Sequence, residues 1–432
     1  MLLFALTGFK NFLVNTRMSN RVPKMKNDRV ESTNRRVFIQ RSAGVGTVAA
    51  LSGLPIGQSA AAEPSGKKTK VGVIGCGSVS RKYLPHLKSC PFVELVSTCD
   101  IIPQRSKTAA AQYKVPNHYP HIDKMLAGAA FDLLVDLTDM QEHYRLNKQA
   151  LEAGKHVWSE KPMANDLAGG QELLDLAKKK GVRIWGAPTV VMSPQFHFMA
   201  KTLREGKLGR VAAAHASYGN AGPGWTSFFY DKNGGSMPDL GVYNLMTLTG
   251  LFGPARSIVA MLSIITPTRN ISAKGRIKVE AEDNAMVLMD HGDGVISHMQ
   301  CGFNYHKGGH HAATNQSHHT ISIAATGGSM YLAGYDWAPH GVDLALRAQG
   351  NKMQRHVVDR PRPGTGLHGE GYSWQQGASH VAECLATGKQ PEVSAEHALH
   401  VIEIMNAARE SQRTGKRIAI KSRFTLPAVK GP

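Results

Sequence analysis

The segment Lys70-Val71-Gly72-Val73-Ile74, running directly into Gly75-Cys76-Gly77-Ser78-Val79-Ser80, constrains this chain more than any other. A short apolar strand meets a turn that two glycines allow the backbone to close tightly, and a helix-compatible stretch follows. This is the opening half of a βαβ unit, in which a pyrophosphate rests on the partial positive charge of the helix N-terminus. The third fingerprint position is Ser80, so helix–strand packing there must accept a hydroxymethyl group. A second strand, Phe92 to Cys99, ends on Asp100. An acid at that point accepts hydrogen bonds from the adenosine ribose and repels a 2′-phosphate, which favours NAD over NADP. Gly75, Cys76, Gly77, Ser78, Val79, Ser80 and Asp100 are therefore expected to bind the dinucleotide.

Strands and helices keep alternating to about residue 190. Asp132–Leu137 is a nearly continuous apolar run of the parallel-strand kind, and a helix from about Glu142 stops at Gly154. His156-Val157-Trp158-Ser159 delivers Glu160-Lys161-Pro162 to the far edge of the expected crevice. A lysine there can serve as acid, base and electrophile for a carbon–oxygen bond. Residues 167–180 read as an amphipathic helix whose Lys178-Lys179-Lys180 end is solvated. After Pro188 short strands dominate: Gly209–Ser217, Arg256–Ile264, Ala285–Asp290, Gly294–Cys301, Thr320–Ala325 and Ser329–Leu332. Ser394–Arg413 returns to helix. The expected fold is α/β: a doubly wound parallel sheet over 70–190, then a C-terminal α/β domain over 191–432 with a large open, mostly antiparallel sheet.

Residues 1–62 read as an export leader, with 63–69 as a linker. Asn34-Arg35-Arg36-Val37-Phe38-Ile39-Gln40 is a twin-arginine sequence, a mildly apolar stretch spans 43–56, and Ala60-Ala61-Ala62 supplies small residues for cleavage. The expected location is the periplasm or another exported compartment, reached prefolded with cofactor loaded. No run of about 18 apolar residues occurs, so no permanent membrane span is expected. Of the net charge of +19, nine Lys/Arg against two acids lie in residues 1–62, and the rest is dispersed without a basic block. Nucleic-acid binding is not expected.

The five cysteines show no disulfide or zinc spacing and read as free core thiols. His306, His310, His311, His318 and His319 lie in a Gly/Asn/Ser-rich loop without paired cysteines or carboxylates, so no metal is expected. His306 is a candidate substrate contact there. Trp225, Phe228, Phe229 and Tyr230, just before Gly234-Gly235, are candidates for stacking on a sugar ring, with Trp225 and Tyr230 foremost.

Gly75-x-Gly77, Cys99-Asp100, Glu160-Lys161-Pro162, Gly206-x-x-Gly209-Arg210-Val211, Gly234–Tyr243, Glu282-Asp283-Asn284-Ala285 and Ser411-x-x-x-Gly415 occur in one order. In this the chain resembles the Gfo/Idh/MocA oxidoreductases over about residues 68–422. The resemblance implies a nicotinamide site between the two domains and a sheet face used for homo-oligomerisation. Where the family commonly places a histidine, this chain has Tyr243, and Met246 stands for a later aspartate. Tyrosine there resembles the glucose-fructose oxidoreductase branch, whose members are exported and use NADP, whereas Asp100 favours NAD. Thr138 and His143 carry over as cofactor-loop positions, although Asp139 replaces the usual proline.

Lys161, Tyr243 and Asp239 are the expected catalytic residues. Lys161, expected with Glu160 among the cofactor-binding residues too, would hydrogen-bond the substrate oxygen and stabilise an alkoxide. Tyr243, its phenol pKa lowered by that ammonium, would take or relay the proton, and Asp239 would orient the pair from the same helical face. Glu160 would brace the lysine or the nicotinamide ring. The function expected is hydride transfer between tightly held NAD, or NADP, and a sugar, sugar derivative or polyol. Two alternatives stand beside it: glycoside cleavage through transient ring oxidation and elimination, and a non-catalytic sugar-binding scaffold.

Overall fold

Val71, Val73, Leu133, Leu134, Val135 and Val157 are fully buried, as parallel strands covered on both faces must be. The computed structural model describes residues 66–305, 319–358 and 367–429. The leader and His306 lie outside them. The N-terminal part alternates β1 (Thr69–Ile74), α1 (Ser80–Ser89), β2 (Val93–Cys99), α2 (Pro103–Tyr113), β3 (Asn117–Tyr119), α3 (Ile122–Leu126), β4 (Leu133–Asp136), α4 (His143–Glu152), β5 (His156–Ser159), α5 (Leu167–Lys180) and β6 (Ile184–Gly186). The six strands lie in the order β3-β2-β1-β4-β5-β6, all parallel. That is the doubly wound dinucleotide-binding order, with its switch point between β1 and β4.

The rest of the chain builds α6 (Pro194–Arg204), β7 (Val211–Gly219), α7 (Val242–Phe252), β8 (Ser257–Ser263), the hairpin β9 (Thr268–Ile271) and β10 (Gly275–Lys278), β11 (Asn284–Gly292), β12 (Val295–Gly302), β13 (His319–Ala325), β14 (Gly328–Tyr335), β15 (Ala338–Leu346), β16 (Gln354–His356), α8 (Gln376–Thr387), α9 (Ala395–Thr414) and β17 (Ile418–Ala419). Nine strands form one sheet, ordered β16-β15-β14-β13-β7-β12-β11-β8-β17, antiparallel throughout except for the β7–β12 pair. Alternation sorts its two faces. In β11, Ala285, Val287 and Met289 are buried, whereas Met286 and Leu288 are exposed beside Val259, Met261 and Ile296 of the neighbouring strands.

Two connections fix the site. Near the C-terminus α8 returns to the parallel sheet, where Thr69 Oγ1 donates to Ala382 O at 2.7 Å and Ser379 Oγ lies 2.8 Å from His86 Nδ1. The buried helix α9 packs against both β8 and α5, so it bridges the two sheets. The loops at the C-terminal ends of the parallel strands are thereby held against α7.

Candidate functional site

A cleft of about 1060 Å³ opens at the C-terminal ends of β1, β2, β4 and β5. The parallel-sheet side supplies Cys76–Lys82, Ile101, Ile102, Arg105, Leu137–Met140, His143, Glu160 and Lys161. The other wall comes from Trp225–Phe229, Asp239, Tyr243, Lys274 and Trp374.

The glycine turn is shaped for a phosphate. Gly75 has φ +85°, and a Cβ there would lie 2.6 Å from the Leu137 carbonyl, so no other residue fits without shifting that backbone. Nothing lies within 4 Å of where a Gly77 Cβ would be, which leaves the loop open to a close-approaching ligand. Helix α1 starts without a side-chain cap, so its first N–H groups are available to an anion. Ser80 donates to Gly77 O at 2.7 Å and folds the turn onto the helix, turning the missing third glycine into a hydrogen bond. Asp100 stands at the end of β2 as expected, but it braces the loop itself: its Oδ2 accepts from Cys76 N–H and its Oδ1 from Ile102 N–H, both at 2.8 Å. The spare lone pairs of the carboxylate are what it can offer a ribose. These residues fit a dinucleotide.

Thr138 donates its hydroxyl to Asp136 Oδ1 at 2.7 Å. Burial holds the Asp136 carboxyl above the ordinary carboxylate range. His143 is buried, with its ring nitrogens 2.7 Å from Pro162 O and 3.0 Å from Thr138 O. It ties the loop after β4 to the segment that carries Lys161.

Lys161 Nζ donates to Asp239 Oδ1 at 2.8 Å and to Asp239 O at 2.7 Å, with both side chains little exposed. The same ammonium lies 5.3 Å from the centroid of the Tyr243 ring. Glu160, also buried, accepts from Tyr83 Oη at 2.6 Å and from Lys161 N–H at 3.0 Å. Glu160 therefore braces the lysine. Asp239 sits in a π-helical turn, Met237–Gly241, that runs into α7 and Tyr243. Such turns recur at functional sites because they widen the helix locally. The turn is fastened by the second motif: Ser236 N–H donates to Glu282 O at 2.9 Å and Met237 N–H to Glu282 Oε1 at 3.3 Å. Gly235, at φ +110°, is needed because a Cβ would lie 2.3 Å from Glu282 Oε1.

Two expectations are corrected. The Tyr243 phenol is pushed well above its ordinary pKa, first by burial and then by the nearby carboxylates, Glu160 foremost. Tyr243 is thus a hydrogen-bond donor at neutral pH, burial and the nearby carboxylates outweighing the ammonium expected to lower it. Tyr230 does not line the cleft. It is 1% exposed, its hydroxyl donates to Pro223 O at 2.8 Å, and the Arg269 guanidinium lies 5.0 Å from its ring. Trp225, 54% exposed, does face the cleft.

Several residues of the site carried no separate signal. Tyr83, fully buried behind the cleft, reaches Glu160 from α1, while two lining residues are held in place: Trp374 packs edge-on against Tyr83 at 5.5 Å, and Lys274 Nζ donates to Ser227 Oγ at 2.6 Å. Arg105, on the first turn of α2, also lines the cleft, and its place just beyond Asp100 is the one signal that could have found it. No group of metal ligands occurs among the described residues.

Comparison with known proteins agrees with this geometry. The family profile described as "Oxidoreductase family, NAD-binding Rossmann fold" matches residues 69–187, and the "GFO/IDH/MocA C-terminal domain" profile matches 196–331. D-apiose dehydrogenase of Paraburkholderia graminis is 22% identical over 378 residues, 84% of this chain and 93% of that protein. Levoglucosan dehydrogenase, solved with NADH and levoglucosan, superposes with a TM-score of 0.70 at 19% identity, covering 82% of this chain and 100% of the other. Aldose-aldose oxidoreductase from Caulobacter crescentus, solved with glycerol, gives 0.68 at 20% identity, with coverages of 82% and 100%.

Proposed function

The chain belongs to the Gfo/Idh/MocA oxidoreductase family and is an NAD-binding enzyme, and from that premise we propose that it oxidises or reduces a hydroxyl-bearing carbon of a sugar, sugar derivative or polyol. The observation that carries this reading is the ammonium of Lys161, fixed by Asp239 against the Tyr243 ring where the glycine-loop cleft meets the second domain. NAD supplies the hydride acceptor or donor when bound. The glycine loop, the N-terminus of α1 and Asp100 hold it, while Thr138 and His143 set the loop beneath. Lys161 holds the substrate oxygen and stabilises negative charge on it. The protonated Tyr243 donates a second hydrogen bond to that oxygen, and the Asp239 carboxylate, held by Lys161, takes the alcohol proton. Trp225 and Trp374 offer apolar ring faces to a sugar.

Names among the relatives favour net oxidoreduction over glycoside cleavage or a non-catalytic scaffold. The test is NAD⁺ reduction followed at 340 nm with D-glucose, D-xylose, D-apiose, levoglucosan and D-sorbitol. Reduction by at least one is expected. Release of an aglycone from a glycoside without net NADH would show the cleavage chemistry instead. Export by the twin-arginine route is proposed from Arg35-Arg36 and the small residues at 60–62. Homo-oligomerisation is proposed from the apolar outer face of the nine-stranded sheet.

A further inference from the structure

Tyr335, the last residue of β14, and Asp336 and Trp337, in the turn to β15, converge on the start of α7. Asp336 is 2% exposed; its Oδ2 accepts from Asn244 Nδ2 at 2.9 Å and from Thr247 Oγ1 at 3.0 Å. Among the described residues it forms no ion pair, and its Oδ1, like Asn244 Oδ1, is buried without a partner. A buried carboxylate held only by neutral donors is costly and clusters at functional sites. Asn244 follows Tyr243 directly, and Thr247 Oγ1 lies 3.1 Å from the Tyr243 carbonyl. Trp337, stacked on Tyr335 at 5.3 Å, lies 6.5 Å from the Tyr243 ring. This turn therefore underlies the catalytic tyrosine.

We infer that Asp336 is a positioning residue whose negative charge, beyond its hydrogen bonds, supports the Lys161–Tyr243–Asp239 group as it takes up the alcohol proton. The inference rests on the reading of that group given above. Burial pushes the Asp336 carboxyl up to about 6, so its charge is present at pH 8 and mostly gone at pH 5. The titratable groups that feel it are the phenols of Tyr218 from β7, Tyr243 from α7 and Tyr372 before α8, each held protonated by burial.

The test is Asp336→Asn in the full NAD-loaded chain. The amide oxygen can keep both present hydrogen bonds, so charge is removed while those two bonds of the clamp stay. The expected thermal midpoint is above the parent's at pH 8, and the gap should be about halved at pH 5 and close as pH falls to about 4. With whichever of the five sugars above reduces NAD⁺ fastest, kcat should fall about tenfold at pH 8, KM should stay within about twofold, and the acid limb near pH 6 should vanish. Thr247→Val, which keeps the charge and loses one bond, should retain the limb. An unchanged kcat and limb in Asp336→Asn, or the same losses in Thr247→Val, would leave a structural clamp only and overturn the inference. Lys161→Met separates the two levels. If it turns over like the parent, or if no sugar is turned over by the parent, the site reading fails and this inference with it. If it is inactive while Asp336→Asn is normal, only the inference fails.

Discussion

Lys161→Met removes the cation at the centre of the site and little else. Its Nζ touches Asp239 Oδ1 and O at 2.8 and 2.7 Å, and neither contact belongs to the glycine loop. A charge aimed at a developing oxyanion is worth roughly 10²–10³ in rate, and a positioned proton acceptor roughly 10²–10⁴. The ammonium supplies the first directly and the second only by holding Asp239, so the factors overlap, and a loss of about 10³-fold in kcat, about 4 kcal/mol, is expected. NAD⁺ affinity should hold within about threefold, since the dinucleotide contacts are elsewhere. Stability should drop by about 1–2 kcal/mol, less than for a fully buried pair, because Asp239 lines the cleft and water can reach it. Lys161→Arg should recover little, as a planar fork cannot replace a point charge held by one carboxylate and one carbonyl. The assay is steady-state NAD⁺ reduction with each sugar, with fluorescence titration of NADH for binding. A Met variant within tenfold of the parent kcat would refute the role given to Lys161.

Acid should loosen the fold through histidines buried in neutral form. His86 and His400 are each lowered to about 4 by burial, against about 6.5 in the unfolded chain. The unfolded state binds the extra protons, so stability present above pH 6.5 is lost as pH falls toward 4, by roughly 3 kcal/mol per group. The raised carboxyl of Asp336 works in the opposite sense between about pH 6 and 4, so the share of each histidine is read by substitution. His400→Gln, whose amide oxygen can still accept from Ala255 N–H, should flatten the fall in thermal midpoint between pH 7 and 5; an unaltered slope would exclude His400. Glutamate at both Met261 and Leu288, exposed on the outer sheet face, should reduce the molar mass measured by light scattering to that of one chain. A mass unchanged from the parent would remove that face as the interface.

Much of the site was legible because its parts are local. Gly75, Gly77 and Asp100 follow from one βαβ unit, and Glu160-Lys161 follows from the strand before it. Elements built by distant pairing were not legible. Strand β15 carries Pro339 and Gly341 and lacks clean alternation, yet it pairs with β14 over nearly its whole length. The β9–β10 hairpin went unread, and with it Arg269, whose position beneath the loop turns Tyr230 inward while Trp225 faces the cleft. Tyr243 was placed by its motif, but its protonation depends on the burial and carboxylates that three-dimensional packing brings around it. Asp336 gave no signal of its own. A lone aspartate in a hairpin turn reads as a turn former until α7 is seen to lie over it.

We propose a carbohydrate oxidoreductase that carries its own nicotinamide cofactor out of the cytoplasm. The most direct measurement is to express the chain with residues 1–62 in place, purify the exported form, record its intact mass, heat-denature it and identify the released nucleotide by chromatography. The account predicts cleavage near residue 62 and about one equivalent of NAD(H) per chain. A protein that releases no nucleotide and binds neither NAD⁺ nor NADP⁺ at micromolar concentration would contradict it.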